Sequence, residues 1–162
     1  MAIELFRIDD RLVHGQVVVG WGQPLDIGFI VLVDDDVAAS EWEQDLYRMG
    51  VPPDMTVTFE SVASAAQQLA RYQADRRRGI VLTADIGTMA RLAAAGPVPA
   101  VNIGGVHHKS GRTQRLRYVF LTPEEEAALR AMAARGVTVT AQDVPATRPM
   151  PLDEVLDARG EH

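Results

Sequence analysis

The residues best suited to chemistry stand together in one short segment, Arg7-Ile-Asp-Asp-Arg-Leu-Val-His-Gly-Gln16. It contains two guanidinium groups, two carboxylates, one imidazole and a glycine, directly after a predicted strand. Arginine binds phosphate oxygens through paired N–H groups, and a neutral imidazole can accept a phosphoryl group on its free nitrogen. The segment therefore predicts an anion site around His14, and phosphate is the anion that these groups suit.

The residues after His14 can begin a helix, from Gly15 to about Trp21. The first N–H groups of that helix would point back into the loop, and Gly15 would let the backbone approach a ligand closely. A single histidine after a strand is, however, more often a hydrogen-bonded loop residue than a nucleophile. The residue types alone thus predict a candidate anion site and leave the covalent role of His14 open.

A second glycine-containing segment, Asn102-Ile-Gly-Gly-Val106, ends another predicted strand at the same edge of the sheet. Backbone N–H groups of Gly104 and Gly105 could face an anion there, with Asn102 beside them. The spacing matches neither of the two common glycine-rich nucleotide motifs, so no nucleotide is predicted. A tight turn without a ligand is the alternative interpretation of the same residues.

The segment that follows is basic, because the interval 86–123 carries five Lys and Arg residues and no Asp or Glu. Lys109 and Arg112 belong to this interval, and His107 and His108 directly precede Lys109. A run of like charge is usually a solvated face. Since this run follows a loop at the proposed active edge, it favours contact with phosphate or with an acidic partner.

The run Asp34-Asp35-Asp36 ends the second predicted strand. Carboxylates are the ligands that Mg²⁺ prefers, so the run could suggest a cation site. Aspartate is also a preferred residue at a helix N-terminus, and we interpret the run as the cap of a helix over Val37–Met49. No metal site is predicted.

The elements that must position these residues alternate between strands and helices. Apolar runs predict seven strands: Ile3–Ile8, Ile27–Val33, Met55–Phe59, Gly79–Thr83, Val98–Ile103, Arg115–Leu121 and Val137–Ala141. Helical spacing and capping residues predict further helices over Ser61–Asp75 and Ile86–Ala95, from the Thr122 cap to Gly136, and over Pro151–Ala158 after a Pro145–Pro151 connector. This order is typical of an α/β domain with an open, mainly parallel sheet and helices on both faces. Ligands of such sheets bind at the carboxyl ends of the strands.

Composition excludes several classes of function. The 162 residues fit one domain, and the absence of cysteine excludes disulfides, thiolate zinc sites and cysteine nucleophiles. A net charge of −6 without a dominant basic tract argues against general nucleic-acid binding. The longest apolar run, Ile27–Val33, is too short to cross a bilayer, and the first ten residues lack a secretory pattern. We therefore expect a soluble, cytoplasmic protein with a single domain over residues 1–162.

Residues 7–17 resemble the active-site signature of a known family, the IIB components of the mannose/fructose/sorbose family of the bacterial phosphoenolpyruvate-dependent sugar phosphotransferase system. The resemblance covers nearly the whole chain. Its supporting segments are Val33-Asp-Asp-Asp-Val-Ala38, Val51-Pro-Pro53, Asn102-Ile-Gly-Gly105 and Val119-Phe-Leu-Thr-Pro-Glu-Glu125. Asp10 and Val13 stand where Glu and Ile are commoner in the family, and Ile103 where Val is. None of these departures removes a phosphate-handling group.

The resemblance implies that His14 is a transient phosphohistidine. It would receive a phosphoryl group from a histidine of a IIA partner and pass it to a sugar bound by the membrane components IIC and IID. On the same basis Arg11 would contact the phosphoryl oxygens, Asp9 would help to hold the loop, and the amides of Gly15 and Gln16 would support the phosphate, with Arg7 as loop support. The chain would then be a phosphohistidine–sugar phosphotransferase component that needs no cofactor.

The implied fold is a seven-stranded, mostly parallel sheet with one antiparallel strand, for which Arg115–Leu121 is the natural candidate. We expect Arg11 to be an exposed loop charge whose loss slows transfer and leaves the fold intact. Two other functions stay open: a regulatory phosphorelay protein with the same His14 chemistry but no sugar transport, and an anion-binding module without covalent chemistry. The protein would meet the inner face of the membrane through IIC and IID, and the sugar and the oligomeric state, including a homo-oligomer, stay open.

Overall fold

The computed structural model describes residues 2–13 and 15–160, with the side chains of residues 15–17 outside the description. The strands are β1 (Ile3–Ile8), β2 (Ile27–Val33), β3 (Thr56–Glu60), β4 (Arg78–Thr83), β5 (Ala100–Ile103), β6 (Thr113–Leu116), β7 (Val119–Leu121), β8 (Thr138–Ala141) and β9 (Met150–Pro151). Seven of them form one sheet in the order β3-β2-β4-β1-β5-β8-β9, in which every pair except β8 and β9 is parallel. The predicted α/β fold class is confirmed.

The sheet has one antiparallel strand, as predicted, but the assignment of that strand to Arg115–Leu121 is wrong. Residues 115–121 do not form one strand, because Arg117 and Tyr118 make a two-residue turn that folds β7 back on β6 as a separate hairpin. The antiparallel strand is β9, which pairs with β8 through Pro151 and Met150. This pair of residues lies inside the stretch expected to be a connector, and two residues are too few to show a strand pattern.

The helices are α1 (Gly15–Gly20), α2 (Asp35–Ala38), α3 (Glu41–Arg48), α4 (Val62–Gln73), α5 (Ile86–Ala95), α6 (Pro123–Ala134) and α7 (Leu152–Asp157). Among the described residues, no helix is long and apolar enough to span a membrane. The capping predictions are confirmed at Ser61, at Gly96 and at Thr122, whose side chain accepts from the amide of Glu125 at 3.0 Å.

The helix predicted over Val37–Met49 is two helices in the structure, α2 and α3. Asp34 caps the first as predicted, accepting from the amides of the second and third residues after it. The side chain of Gln44 donates to the carbonyl groups of Val37 and Ala38 at 3.0 and 3.1 Å. These bonds satisfy the end of α2, so the chain can turn at Ser40 before α3 begins.

Buried apolar side chains cover both faces of the sheet. On one face α4, α5, α6 and α7 contribute one cluster, which includes Leu69, Met89 and Leu129. On the other face α1 and α2 contribute a second cluster, with Trp21 and Val37 among its members. A sheet covered on both sides exposes its strand ends, and these are where a ligand can approach.

The strand order places a topological switch beside β1. From β1 the chain crosses to β2, on one side, whereas from β5 it continues to β8, on the other side. β1 and β5 are hydrogen-bonded neighbours, with Arg7 opposite Asn102 and Ile8 opposite Ile103. The loops after these two strands therefore lie side by side at the carboxyl edge of the sheet, where open α/β sheets bind their ligands.

Candidate active site

The loop after β1 makes a tight turn that depends on the side chain of Asp9. The amide of Leu12 donates to the carbonyl of Asp9 at 3.0 Å, and the amide of Arg11 donates to the Asp9 carboxylate at 3.1 Å. Leu12 has a φ of 53°, a left-handed conformation that side chains rarely adopt, yet it is buried in the core. These hydrogen bonds fix the turn so that the backbone of Arg11 lies against the Asp9 carboxylate.

Asp9 is a fully buried carboxylate held between two arginines. Arg11 donates to it from Nε at 2.8 Å and from Nη2 at 2.7 Å, and Nη2 of Arg7 donates at 3.3 Å. Burial would raise the pKa of Asp9, but the hydrogen bonds from Arg11 and the charge of Arg7 outweigh burial and lower that pKa below its usual value. Asp9 is thus an ionised anchor for both guanidinium groups.

Arg7 lies wholly inside the protein, at 0% exposure. Its Nη1 donates to the side chain of Asn102 and, at 2.9 Å, to the carbonyl of Gln142. Its Nη2 donates to the carbonyl of Asp143 at 3.2 Å, and the guanidinium lies 4.4 Å from the ring centre of Trp21. Burial lowers the pKa of this arginine. Arg7 therefore joins the ends of β1, β5 and β8 and does not face solvent.

Arg11 is not the exposed loop charge that the sequence predicts. Its side chain is 22% exposed and bound to Asp9 through two nitrogens. The hydrogen bond with Asp9 raises the pKa of Arg11. The guanidinium is consequently a fixed positive charge at the protein surface, and its removal would leave a buried carboxylate with one cation fewer.

Gly104 provides the space into which the buried ion cluster fits. A β-carbon built on this residue would lie 2.3 Å from Nη2 of Arg7 and 2.7 Å from a carboxylate oxygen of Asp9. Its backbone N–H donates to the carbonyl of Ile8 at 2.7 Å, within the sheet. The glycine is therefore required for close packing, and its N–H group is engaged by the neighbouring strand.

Gly105 is buried and lies against the same cluster. A β-carbon there would lie 2.9 Å from Cε1 of His107, 3.2 Å from Asp9 and 3.3 Å from Nε of Arg11. Its carbonyl accepts from the amide of Asp10 at 2.8 Å. The two glycines thus let the loop after β5 lie directly against the loop after β1.

Asp10 ties these two loops together. Its carboxylate accepts from the backbone N–H of His107 at 2.7 Å, and its other oxygen lies 2.7 Å from Nδ1 of the His107 ring. The imidazole is 54% exposed. The interval 86–123 therefore places one of its histidines directly beside the loop that precedes His14.

The other predicted contact residues have three different environments. Asn102 is buried, and its amide nitrogen donates to Gln142 at 3.3 Å, beneath the loop. Arg112 donates to Glu125 from Nε at 3.0 Å and from Nη2 at 2.8 Å, and Nη1 donates to the carbonyl of His107 at 2.7 Å. Lys109 is exposed. Arg112 thus anchors the loop to the start of α6, and Lys109 faces solvent.

His14 lies outside the described residues, directly between Val13 and the first residue of α1. The backbone of Gly15 and Gln16 begins that six-residue helix, as the sequence predicts. No group of acidic or histidine side chains among the described residues could hold a metal ion. The basic interval predicted from the sequence includes His107, but no pattern in the sequence points to its contact with Asp10. Gln142 and Asp143 carry no sequence signal, because no local pattern connects the end of β8 with Arg7, which lies 135 residues before Gln142.

Comparisons with known proteins agree with this architecture. A family model described as "PTS system sorbose subfamily IIB component" matches residues 3–162. The sorbose-specific EIIB component of Klebsiella pneumoniae is 35% identical over 141 residues, 85% of this chain and 84% of that protein. The mannose-specific EIIAB component of Escherichia coli K12 is 30% identical over 145 residues, 89% of this chain but 45% of that protein. The chain thus spans less than half the length of the mannose-specific relative.

Solved structures show the same fold. The crystal structure of the IIBSor domain of the Klebsiella pneumoniae sorbose permease superposes with a TM-score of 0.86 at 29% sequence identity. That match covers 97% of this chain and 98% of the other. A manxB structure from Thermoanaerobacter tengcongensis has a TM-score of 0.86 at 30% identity, with 96% and 95% covered.

Proposed function

This chain belongs to the sorbose subfamily of phosphotransferase-system IIB components, and on that premise we propose that it carries a phosphoryl group on His14. The donor is a phosphohistidine of a IIA protein or domain, and the acceptor is a sugar bound by the membrane components IIC and IID. The observation that carries the proposal is the position of Arg11, a cation fixed by Asp9 three residues before His14.

Transfer between two histidines breaks one P–N bond and forms another, so it needs alignment and charge stabilisation more than further covalent chemistry. Arg7, Asp9 and Arg11 are in direct contact and carry two positive charges and one negative charge, and the charges of Asp10 and Asp143 also act on Arg11. Because Asp9 fixes the Arg11 guanidinium before the phosphoryl group arrives, little reorganisation is needed during transfer. Arg7 and Asn102 are buried and have a positioning role, because they hold Asp9 and the strand ends in place.

The IIA partner is supported by the name of the mannose-specific relative, EIIAB, of which this chain matches 45%. The two relatives compared above are named for different sugars, so the proposal goes no further than sugar as the class of acceptor. In this proposal the chain acts in the cytoplasm and reaches the inner face of the membrane through IIC and IID.

The test combines labelling with reconstitution. Purified protein is incubated with phosphoenolpyruvate, the general phosphotransfer proteins and a cognate IIA, and its intact mass is compared with that of a His14→Ala variant. The labelled protein is then added to membranes that contain IIC and IID, with sugar. We expect an acid-labile phosphoryl group on the unchanged protein alone and its transfer to sugar.

Two outcomes would favour the alternatives. Labelling on His14 without transfer to any sugar in competent membranes would favour a regulatory phosphorelay. A protein that takes no label from a donor able to phosphorylate a known IIB component would favour an anion-binding module without covalent chemistry.

A further inference from the structure

The exposed large apolar side chains of the protein lie on one side of the sheet. Among the side chains that the structure describes there are four: Val19 on α1, and Trp42, Leu46 and Met49 on or directly after α3. Both helices cover the same face of the sheet, α1 through Trp21 and α3 through Tyr47. The described helices of the opposite face, α4 to α7, expose no large apolar side chain. A group of exposed apolar residues on one helix is typical of an interaction surface.

The two sides of α3 have different surroundings. At 3.6 residues per turn, Trp42, Leu46 and Met49 lie on one side, and Gln44 and Tyr47 lie on the other. The second side holds the helix in place, because Gln44 donates to the end of α2 and Tyr47 packs against the core. The first side is open to solvent, with exposed fractions of 69% for Trp42, 59% for Leu46 and 82% for Met49. We call these three residues the α3 face.

The α3 face ends next to the loop that follows β1. Gly50 comes directly after Met49, and a β-carbon built on Gly50 would lie 3.4 Å from the carbonyl oxygen of Val13. Tyr47 packs against the same core cluster as Leu12 and Val13. A protein that approaches the loop after β1 is therefore close enough to cover the α3 face as well.

The charge around the α3 face is negative. Helical spacing places Glu41 and Asp45 on one flank and Glu43 on the other, and Arg48 is bound to Asp45 at 2.9 Å. Over residues 34–60 the chain has eight Asp and Glu residues and one arginine. Anionic lipid headgroups repel such a surface, and a second copy docked face to face would bring like charges together. The α3 face therefore fits a protein with an apolar groove whose rim is lined by lysine or arginine.

We propose that the α3 face is a docking surface for the IIA donor, which presents an apolar groove bordered by basic side chains. This inference rests on the proposed function, in which IIA must reach the loop after β1 to pass on its phosphoryl group. IIC and IID must reach the same loop, but they lie in the membrane, where the acidic residues around the α3 face would approach anionic headgroups. Trp42 offers the largest apolar contact, and tryptophan is enriched among the residues that dominate binding energy.

The direct test is the dissociation constant of the complex with purified, unphosphorylated IIA, measured by isothermal titration calorimetry. Trp42→Ala and Leu46→Ala should each weaken binding about tenfold, because each removes an apolar contact. Gln67→Ala is the matched control, because it shortens an exposed side chain of α4 on the opposite face of the sheet. All three positions are outside the core, so the unfolding curves should be unchanged. Equal constants for the unchanged protein and both α3 variants would overturn the proposal.

Charge supplies a second measurement. Glu41→Lys places a cation beside the α3 face, so it should weaken binding to IIA at low ionic strength. The difference from the unchanged protein should shrink as salt is added, because salt screens exposed charges from one another. Tighter binding by Glu41→Lys would contradict a basic rim on the partner.

Three other results would assign the α3 face to a different occupant and so overturn the proposal. Slower transfer to sugar in membranes with IIC and IID, with unchanged binding to IIA in Trp42→Ala, would assign it to the acceptor. A dimer that Trp42→Ala dissociates in sedimentation equilibrium would assign it to a second copy. Binding to anionic lipid vesicles that Trp42→Ala abolishes would assign it to the membrane surface.

This proposal and the proposed function fail in different ways. The calorimetry uses unphosphorylated proteins, so its result does not depend on phosphoryl transfer. If IIA binds through the α3 face but no phosphoryl group reaches His14, the proposed function is wrong and the docking surface stands. If His14 is labelled but Trp42→Ala and Leu46→Ala bind IIA as the unchanged protein does, only the docking surface is wrong.

Discussion

A β-carbon at Gly104 would lie 2.3 Å from Nη2 of Arg7, so the glycine and the buried guanidinium occupy adjoining spaces that no larger residue could share. The same β-carbon would lie 2.5 Å from Cζ of that guanidinium. Arg7 cannot move away, because it is fully buried and bonded to the ends of three strands. The glycine is therefore a condition for the ion cluster that holds Arg11.

Substitution of Gly104 by alanine should destabilise the protein by about 2 kcal/mol, since overpacking against a buried, bonded group is costly. Urea unfolding would measure the change in the free energy of unfolding. Gly87→Ala is the matched control, because Gly87 is exposed near the start of α5 and a β-carbon there would lie 3.5 Å from its nearest neighbour. Helix propensity predicts a small gain for that control. Equal losses in both variants would contradict the packing argument.

Removal of the buried Arg7 cation should lower the free energy of unfolding by more than the Gly104 substitution does. Arg7→Met leaves the Asp9 carboxylate with Arg11 alone inside a low-dielectric site, so we expect a loss of about 3 kcal/mol in the free energy of unfolding. Arg130→Met, at an exposed position of α6, should change that quantity by less than about 0.5 kcal/mol. Thermal or urea unfolding of the pair would show the difference, and a stable Arg7→Met would mean that the cluster is not needed for folding.

Lowering the pH should reduce the free energy of unfolding, because Asp9 becomes protonated. The pKa of this carboxyl group is lower in the folded protein than in the unfolded chain, so below about pH 4 the unfolded state binds more protons. The contribution of Asp9 to stability is therefore present above the unfolded pKa and is lost as pH falls through the folded pKa. Urea unfolding between neutral and acidic pH should show a steeper fall for the unchanged protein than for Asp9→Asn. Parallel curves would show that Asp9 is not stabilised as an anion.

Two substitutions of Arg11 should separate charge from geometry. Arg11→Lys keeps a cation next to Asp9 but loses the pair of nitrogens that fixes the guanidinium, so we expect transfer about tenfold slower with nearly unchanged stability. Arg11→Ala should both slow transfer further and lower the free energy of unfolding. Rapid-quench measurement of phosphoryl transfer from IIA, together with unfolding curves, would test both. Transfer at the original rate in Arg11→Ala would remove this residue from the mechanism.

Much of the fold is predictable from local signals. The bounds of β2 and α5 match their predictions, because a run rich in β-branched residues and a helix with a cap at each end carry their information locally. The prediction of one strand over residues 115–121 is wrong because the turn at Arg117 and Tyr118 contains neither glycine nor proline. The alternation of polar and apolar residues continues through this turn, so the sequence does not show that the strand ends there. β9 has two residues, which is too short for any periodicity.

The candidate site is also predictable only in part. Its charged residues near the start of the chain could be predicted because they stand within five positions of one another. Their arrangement could not, because Arg7 reaches Asn102 across 95 positions and Gln142 across 135. The glycine pair illustrates the difference: its residue types suggest backbone donors for an anion, whereas the structure uses Gly104 as space for a guanidinium.

The central claim, that His14 carries the phosphoryl group, is tested most directly by locating the label. After incubation with phosphoenolpyruvate, the general phosphotransfer proteins and IIA, the intact mass of the unchanged protein should increase by one phosphoryl group, which acid should remove. His14→Ala, under the same conditions and with an unchanged unfolding curve, should show no increase. Equal labelling of the two proteins would contradict the account.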